Sequence, residues 1–355
     1  MQVCPVEHTK VEVPVQRTTQ APPASSGRSR RSQSPQPPRR GRLFTAVLAA
    51  LALATAFALS PQNRRFDRRL GLDVDLGAIQ IHLYGSSVFY LWLTVGILAI
   101  AGVAVAASRN PELIRRWATW VAIAVVVGVP LWLGNGATAV LTAALSVVGV
   151  IEFARLVQLR RADTAVLMAV GVAFPLAAWL RPDLLANVPV VVLACALPAV
   201  IGGDAENGAR RAAFTVFGSV WICWSFSLLV VLSAQAYALF FAVALTDVAA
   251  WCGGNGLRRF GWARRRLSAL SPSKTLGGLA GAVLGALLAL ALLGTLSFGL
   301  LLAVAAGSVL GDLLESMVKR QARVKDASGW LPGFGGLLDR VDSLLLVLPL
   351  ALLLG

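Results

Sequence analysis

From residue 87 onward the chain repeats one pattern, an apolar run followed by a short polar connector. The runs fall at 87–107, 117–133, 137–153, 164–180, 188–202, 213–235, 237–252, 278–293, 297–314 and 343–355, and LFTAVLAALALATAFAL precedes them at 43–59. A helix that crosses a bilayer needs about 20 predominantly apolar residues, so many of these runs can span and several are marginal. The expected fold is therefore all-α, a polytopic integral membrane protein with roughly nine to eleven transmembrane helices. Composition agrees: 57% of the residues are apolar and 14% charged, whereas a soluble domain has about a quarter of its residues charged. That balance excludes an ordinary soluble globule, and wholesale disorder too, which requires low hydrophobicity.

Three regions follow. Residues 1–42, rich in Pro, Ser, Gln and Arg, read as a disordered basic cytoplasmic tail that either touches anionic headgroups or is simply solvated. Residues 43–86 read as an anchor helix and linker. Small residues at Ala56 and Ala58 and the pair Arg39-Arg40 resemble a cleaved signal, but the long preceding tail favours an uncleaved anchor. Residues 87–355 form the polytopic domain. Its connectors at 109–116, 155–163, 204–211, 256–275 and 319–342 are basic, while those at 134–136, 181–187, 236 and 294–296 are short and poor in charge. Alternating spans put every basic connector on one side, which the positive-inside rule makes the cytosol, at the plasma membrane. RRFDRR at 64–69 breaks the pattern if 43–59 crosses. The net charge of +15, from 32 Lys and Arg against 17 Asp and Glu, thus calls for no nucleic acid. It suits orientation, anionic lipid headgroups and phosphorylated substrates.

The available chemistry is narrow. The histidines, His8 and His82, lie outside every charged cluster, and Cys4, Cys195, Cys223 and Cys252 form no CxxC, so histidine-based hydrolysis and zinc sites lose their ligands. Carboxylates, Lys and Arg remain, crowded into 247–343. Asp247 sits inside an apolar run, where a carboxylate normally faces a partner or a watery cavity; a packing Asp paired with an Arg is the alternative. Ser271-Pro-Ser-Lys274-Thr275-Leu-Gly-Gly precedes an apolar helix, and its hydroxyls and lysine suit an anion there, or else simple N-capping by Ser271 or Thr275. GDLLESMVKRQARVKD places Asp312, Glu315, Ser316, Lys319 and Arg323 along one helical face, two carboxylates followed by cations. Beyond the turn LPGFGG come Asp339 and Asp342 at i, i+3. Hard cations such as Mg²⁺ take carboxylate oxygens together with substrate phosphates, which makes this a metal-and-phosphate rail rather than a solvated salt-bridge network.

The run SMVKRQARVKDASGWLPGFGGLLDRVD, Ser316 to Asp342, resembles the signature S-x-x-K-R-x4-K-D-x4-L-P-x-H-G-G-x-x-D-R-x-D of the phosphatidate cytidylyltransferase (CDP-diacylglycerol synthase) family. Ser271–Gly278 is similar to that family's S-P-K-K-T-x-E-G element, and the stretch around Asp247 to its Asp-containing span. Strong resemblance covers 247–343. The chain departs from the pattern at Phe334 (usually His), Gly277 (Glu), Ser273 (Lys) and Leu276 (often Trp). A missing His would disable a hydrolase, but the lipid phosphate of this reaction, with a second pKa of about 6, is already a dianion and needs no general base.

The resemblance implies that CTP and phosphatidic acid give CDP-diacylglycerol and diphosphate. Under it Asp312 and Asp339 would hold Mg²⁺, supported by Glu315, Asp342 and Asp247, with a second cation as the two-metal variant. Lys319, Arg320, Lys325 and Arg340 would clamp the triphosphate and lipid phosphate. Ser271, Lys274, Thr275 and Ser316 would bind substrate, and the Pro332–Gly336 turn would bring the Gly335 and Gly336 backbone to it. The expected partners are CTP, phosphatidic acid or another lipid phosphate, membrane lipids and, as an open assembly, a second copy of the chain. The competing functions are cytidylyl transfer to an isoprenoid-derived phosphate, a catalytically degenerate paralogue, and an ion-binding transporter. The last fits poorly, because transporters show two related halves and here the polar residues crowd one end.

Overall fold

A computed structural model of the chain describes residues 72–75, 80–83, 85–324 and 335–355, with side chains from Trp92 onward except Arg116. The expected tail and first span, the RRFDRR cluster, Lys325, Pro332 and Phe334 lie outside the described residues. The helices follow the apolar runs: α1 Gly85–Ser108, α2 Pro111–Leu133, α3 Asn135–Val157, α4 Arg161–Leu180, α5 Val188–Ala194, α6 Leu197–Ile201, α7 Gly208–Gly218, α8 Ser225–Val231, α9 Ser233–Gly256, α10 Leu276–Leu292, α11 Phe298–Gln321 and α12 Leu338–Leu354. Among the described residues, seven helical segments are long and apolar enough to cross a membrane, and Trp92–Ser108 and Leu276–Leu292 are shorter apolar helices. The chain is a polytopic, helical membrane protein.

Two elements differ from expectation. Part of the linker forms a hairpin of β1 Leu72–Asp75 and β2 Gln80–Leu83, antiparallel with Leu72 opposite Leu83. A 3₁₀ turn at Pro182–Asn187 precedes the apolar run at 188–202, and the run itself is broken into α5 and α6, with Pro189 and Pro198, which lack an N–H, in their first turns. By contrast α7 and α8 are joined through a π-helical turn, Ser219–Trp224, into one continuous rod. That turn carries Trp221 edge-on to Phe153 of α3, and with Phe226, Leu229, Leu290, Leu345 and Leu348 they form the buried centre.

The basic connectors before α4 and α7 lie side by side. Two ion pairs agree with this. Arg160 before α4 reaches Asp204 before α7 at 3.0 Å, and Arg211 of α7 makes a two-pronged bond to buried Asp163 of α4 at 2.8 and 2.9 Å. The same Arg211 also bonds Asp204 at 3.0 Å. The closest helix pairs are α9 with α10 and α11 with α12. Both depend on small residues, which let backbones approach where lipid supplies no hydrophobic drive. A methyl on Gly253 would stand 2.8 Å from Gly281 Cα, and one on Gly307 would stand 2.9 Å from Val347 Cα.

Candidate functional site

The site begins as a consequence of that small-residue ridge. Gly299, Ala303, Gly307, Gly311 and Glu315 recur every fourth residue on α11, so they share one stripe, and α12 lies along it. Where the stripe ends, a glutamate replaces the small residue. Glu315 is 1% exposed and meets Asp342 of α12, and single oxygens of Asp312, Glu315 and Asp342 all lie within 4.8 Å of one another. One oxygen of Glu315, Oε1, is buried with no hydrogen-bond partner.

Basic side chains flank the trio. Lys319 donates to Glu315 Oε2 at 2.6 Å and to Asp339 Oδ1 at 2.8 Å, while Lys274 is ion-paired with Asp312. Lys274 stands on the connector before α10. Burial draws its pKa down, but the Asp312 charge, with Asp247 and Asp342, more than offsets this, so its ammonium titrates above the ordinary lysine range. Asp247 and Arg340 act on the same cluster. Five carboxylates thus face three cations, a formal charge of −2. A buried oxygen without a donor, inside an all-carboxylate set of that charge, fits a hard divalent cation such as Mg²⁺ and offers nothing to a soft one.

The structure brings together most of the expected residues but divides them. Asp312, Glu315 and Asp342 form the trio. Asp247 of α9 faces the same cluster from a third helix. The Ser343 hydroxyl, 3.4 Å from Asp247 Oδ1 and 3.1 Å from the Ser308 carbonyl, shares its proton between them. Asp339 stands one ion pair outside the trio, its oxygens taken by Lys319 and by the Gly336 N–H at 2.7 Å. Gly335 beside it has φ +79°, and a methyl there would strike Asp339. Arg340 is exposed, and Arg320 reaches the Leu270 carbonyl at 3.5 Å, tying α11 to the connector. Ser316 is half-buried beside the trio. Arg323 follows the end of α11 in a left-handed conformation at φ 57°.

The connector before α10 is a small hairpin. Leu267 N–H donates to Lys274 O, Leu276 N–H to Arg265 O, and Lys274 N–H to Ser271 O, which sets Ser271 and Lys274 at the tip. Ser271 and Ser273 hydroxyls lie 3.3 Å apart, and Thr275 caps α10 by accepting from Gly278 N–H at 3.3 Å. The capping alternative for Thr275 is therefore observed. Gly277 fills a tight place, where a side-chain carbon would stand 3.1 Å from Ala263 Cβ and 3.2 Å from Gly253 O.

Sequence reasoning missed Glu152 of α3. It is 3% exposed and accepts from Leu337 N–H at 2.9 Å and Leu338 N–H at 2.8 Å, at the start of α12. The signal was present: Glu152 is an acid at the end of the apolar run 137–153, as Asp247 is an acid within its own.

Residues 114–355 match the sequence profile described as the cytidylyltransferase family. A phosphatidate cytidylyltransferase of Helicobacter pylori is 42% identical over 137 residues, 36% of this chain and 44% of that protein. One of Brucella suis is 42% identical over 127 residues, 33% of this chain and 45% of that protein. Phosphatidate cytidylyltransferase 5, chloroplastic, of Arabidopsis thaliana is 35% identical over 164 residues, 43% of this chain and 37% of that protein. The matches span less than half the length of these curated relatives.

Proposed function

We propose that this chain, which belongs to the cytidylyltransferase family, transfers the cytidylyl group of CTP to phosphatidic acid at the cytosolic face of the plasma membrane. An oxygen of the lipid phosphate attacks the α-phosphorus of CTP, the bond from that phosphorus to the bridging oxygen of the β-phosphate breaks, and diphosphate leaves with the electron pair. The products are CDP-diacylglycerol and diphosphate. The observation that carries this reading is the carboxylate trio with its unpartnered Glu315 oxygen between two lysines. The relatives' names supply the substrates.

Phosphoryl transfer requires of a protein chiefly positioning and neutralisation of charge. Asp312, Glu315 and Asp342 would hold Mg²⁺, which when bound screens the phosphate oxygens as negative charge builds on them. Lys274, at the hairpin tip, is placed to leave Asp312 for a phosphate. Arg340, which is exposed, would meet a second phosphate. Lys319 acts differently. Held between Glu315 and Asp339, it keeps the trio compact. The basic connectors at 256–275 and 319–342 adjoin this cluster, which supports a cytosolic entrance for CTP.

The test is transfer of label from α-phosphate-labelled CTP into lipid by the purified chain with Mg²⁺ and phosphatidic acid. Label should enter lipid with stoichiometric diphosphate release, and Asp342→Asn should abolish it. Failure of the wild type with phosphatidic acid, or full activity of Asp342→Asn, would overturn the reading.

A further inference from the structure

We infer that Glu152 is a positioning residue, a carboxylate on α3 that fixes the first turn of α12 and thereby the place of Asp342 in the trio. This inference rests on the proposed phosphoryl-transfer site. The first N–H groups of any helix lack partners within it, and its positive dipole end attracts an anion. At α12 those groups are answered from within the protein. Glu152 takes Leu337 and Leu338 with one oxygen each, and Asp339 takes Gly336. The Gly336, Leu337 and Leu338 N–H groups are therefore engaged by carboxylates of the protein itself.

The arrangement is built, not incidental. Leu338, whose N–H Glu152 holds, is itself fully buried. Asp342 follows Leu338 by one helical turn and shares its face, so whatever sets the height of Leu338 sets Asp342 against Asp312 and Glu315. A ligand held by supporting hydrogen bonds of this kind loses roughly 10–100-fold in metal affinity or activity when the support is removed.

The test uses the full chain in detergent, as wild type, Glu152→Ala and the isosteric Glu152→Gln, which keeps one acceptor. Three quantities are read: hydrogen exchange of the Leu337 and Leu338 amides, Mn²⁺ affinity by electron paramagnetic resonance, and turnover. Glu152→Ala should speed exchange at these amides at least about tenfold and weaken Mn²⁺ binding about tenfold, with smaller changes in Glu152→Gln. Unchanged exchange in both variants, or faster exchange with unchanged Mn²⁺ affinity, would overturn the inference. A wild type that binds Mn²⁺ more tightly than Glu152→Ala but transfers no label from CTP would overturn the functional reading and leave the positioning role standing.

Discussion

Replacing Gly311 by alanine probes how tightly the trio depends on helix spacing. A methyl there would meet the Asp342 carbonyl and stand 2.9 Å from Ser343 Cα and 3.0 Å from Asp342 C. Carbon atoms rest at about 3.5–4.0 Å, so α12 must retreat by roughly 0.6 Å or more at the residue that completes the cluster. The obstacles are backbone atoms, and no rotamer change relieves them. Overpacking of this kind costs about 1–3 kcal/mol, and a displacement near 1 Å costs up to about a hundredfold in rate. Gly256→Ala is the control, because nothing lies within 4 Å of the added carbon. We expect Gly311→Ala to lose roughly ten- to a hundredfold in cytidylyl transfer, with a lower thermal midpoint, while Gly256→Ala matches wild type. Label transfer and tryptophan-fluorescence melting check both. Gly311→Ala within twofold of wild type would refute the argument from spacing.

Three further outcomes follow from the site and its surroundings. Chelation of divalent cations should stop transfer; Mg²⁺ or Mn²⁺ should restore it, because every donor in the trio is a carboxylate oxygen, and isothermal titration of the chelated protein should show a divalent site that Asp312→Asn removes. Lys319→Met should cost about 3 kcal/mol by leaving Glu315 and Asp339 without their shared cation, and adding Asp339→Asn should recover part of the lost melting temperature in a double-mutant comparison. The Asp204 pKa is held below the usual carboxylate range by the Asn207 N–H and then by the Arg211 guanidinium. Its stabilisation is thus present above the unfolded value near ~3.9 and fades as pH falls through the lower folded value. Asp204→Asn should melt earlier than wild type at pH 7, with the gap closing toward pH 3.

The helices are legible because lipid solvation demands long apolar runs, and each run after residue 87 forms helix. The hairpin at 72–83 leaves no such mark, because its strands are only four residues each. The break at 188–202 is written in Pro189 and Pro198, which hydropathy alone passes over. In the site, i, i+3 spacing places Asp339 and Asp342 on one helical face, but such residues still differ by about 60° around the axis. That angle sends Asp342 to Glu315 and Asp339 to Lys319. Lys319 reads from sequence as a phosphate clamp because it follows two carboxylates; its engagement with Asp339 depends on how α12 docks, which no local pattern records. Glu152 is hidden for the same reason, its partners lying 185 and 186 residues away.

The scatter of these groups along the chain bears on biogenesis. Asp312 and Glu315 meet Lys274 and Lys319 without the last helix, but Glu152 leaves the ribosome before Leu337 and Leu338 and finds these hydrogen bonds only once α12 has docked. A buried carboxylate that lacks its donors costs free energy, so α3 gains from lingering beside the translocon until α12 arrives. Insertion of α12 and completion of the carboxylate cluster are thereby coupled.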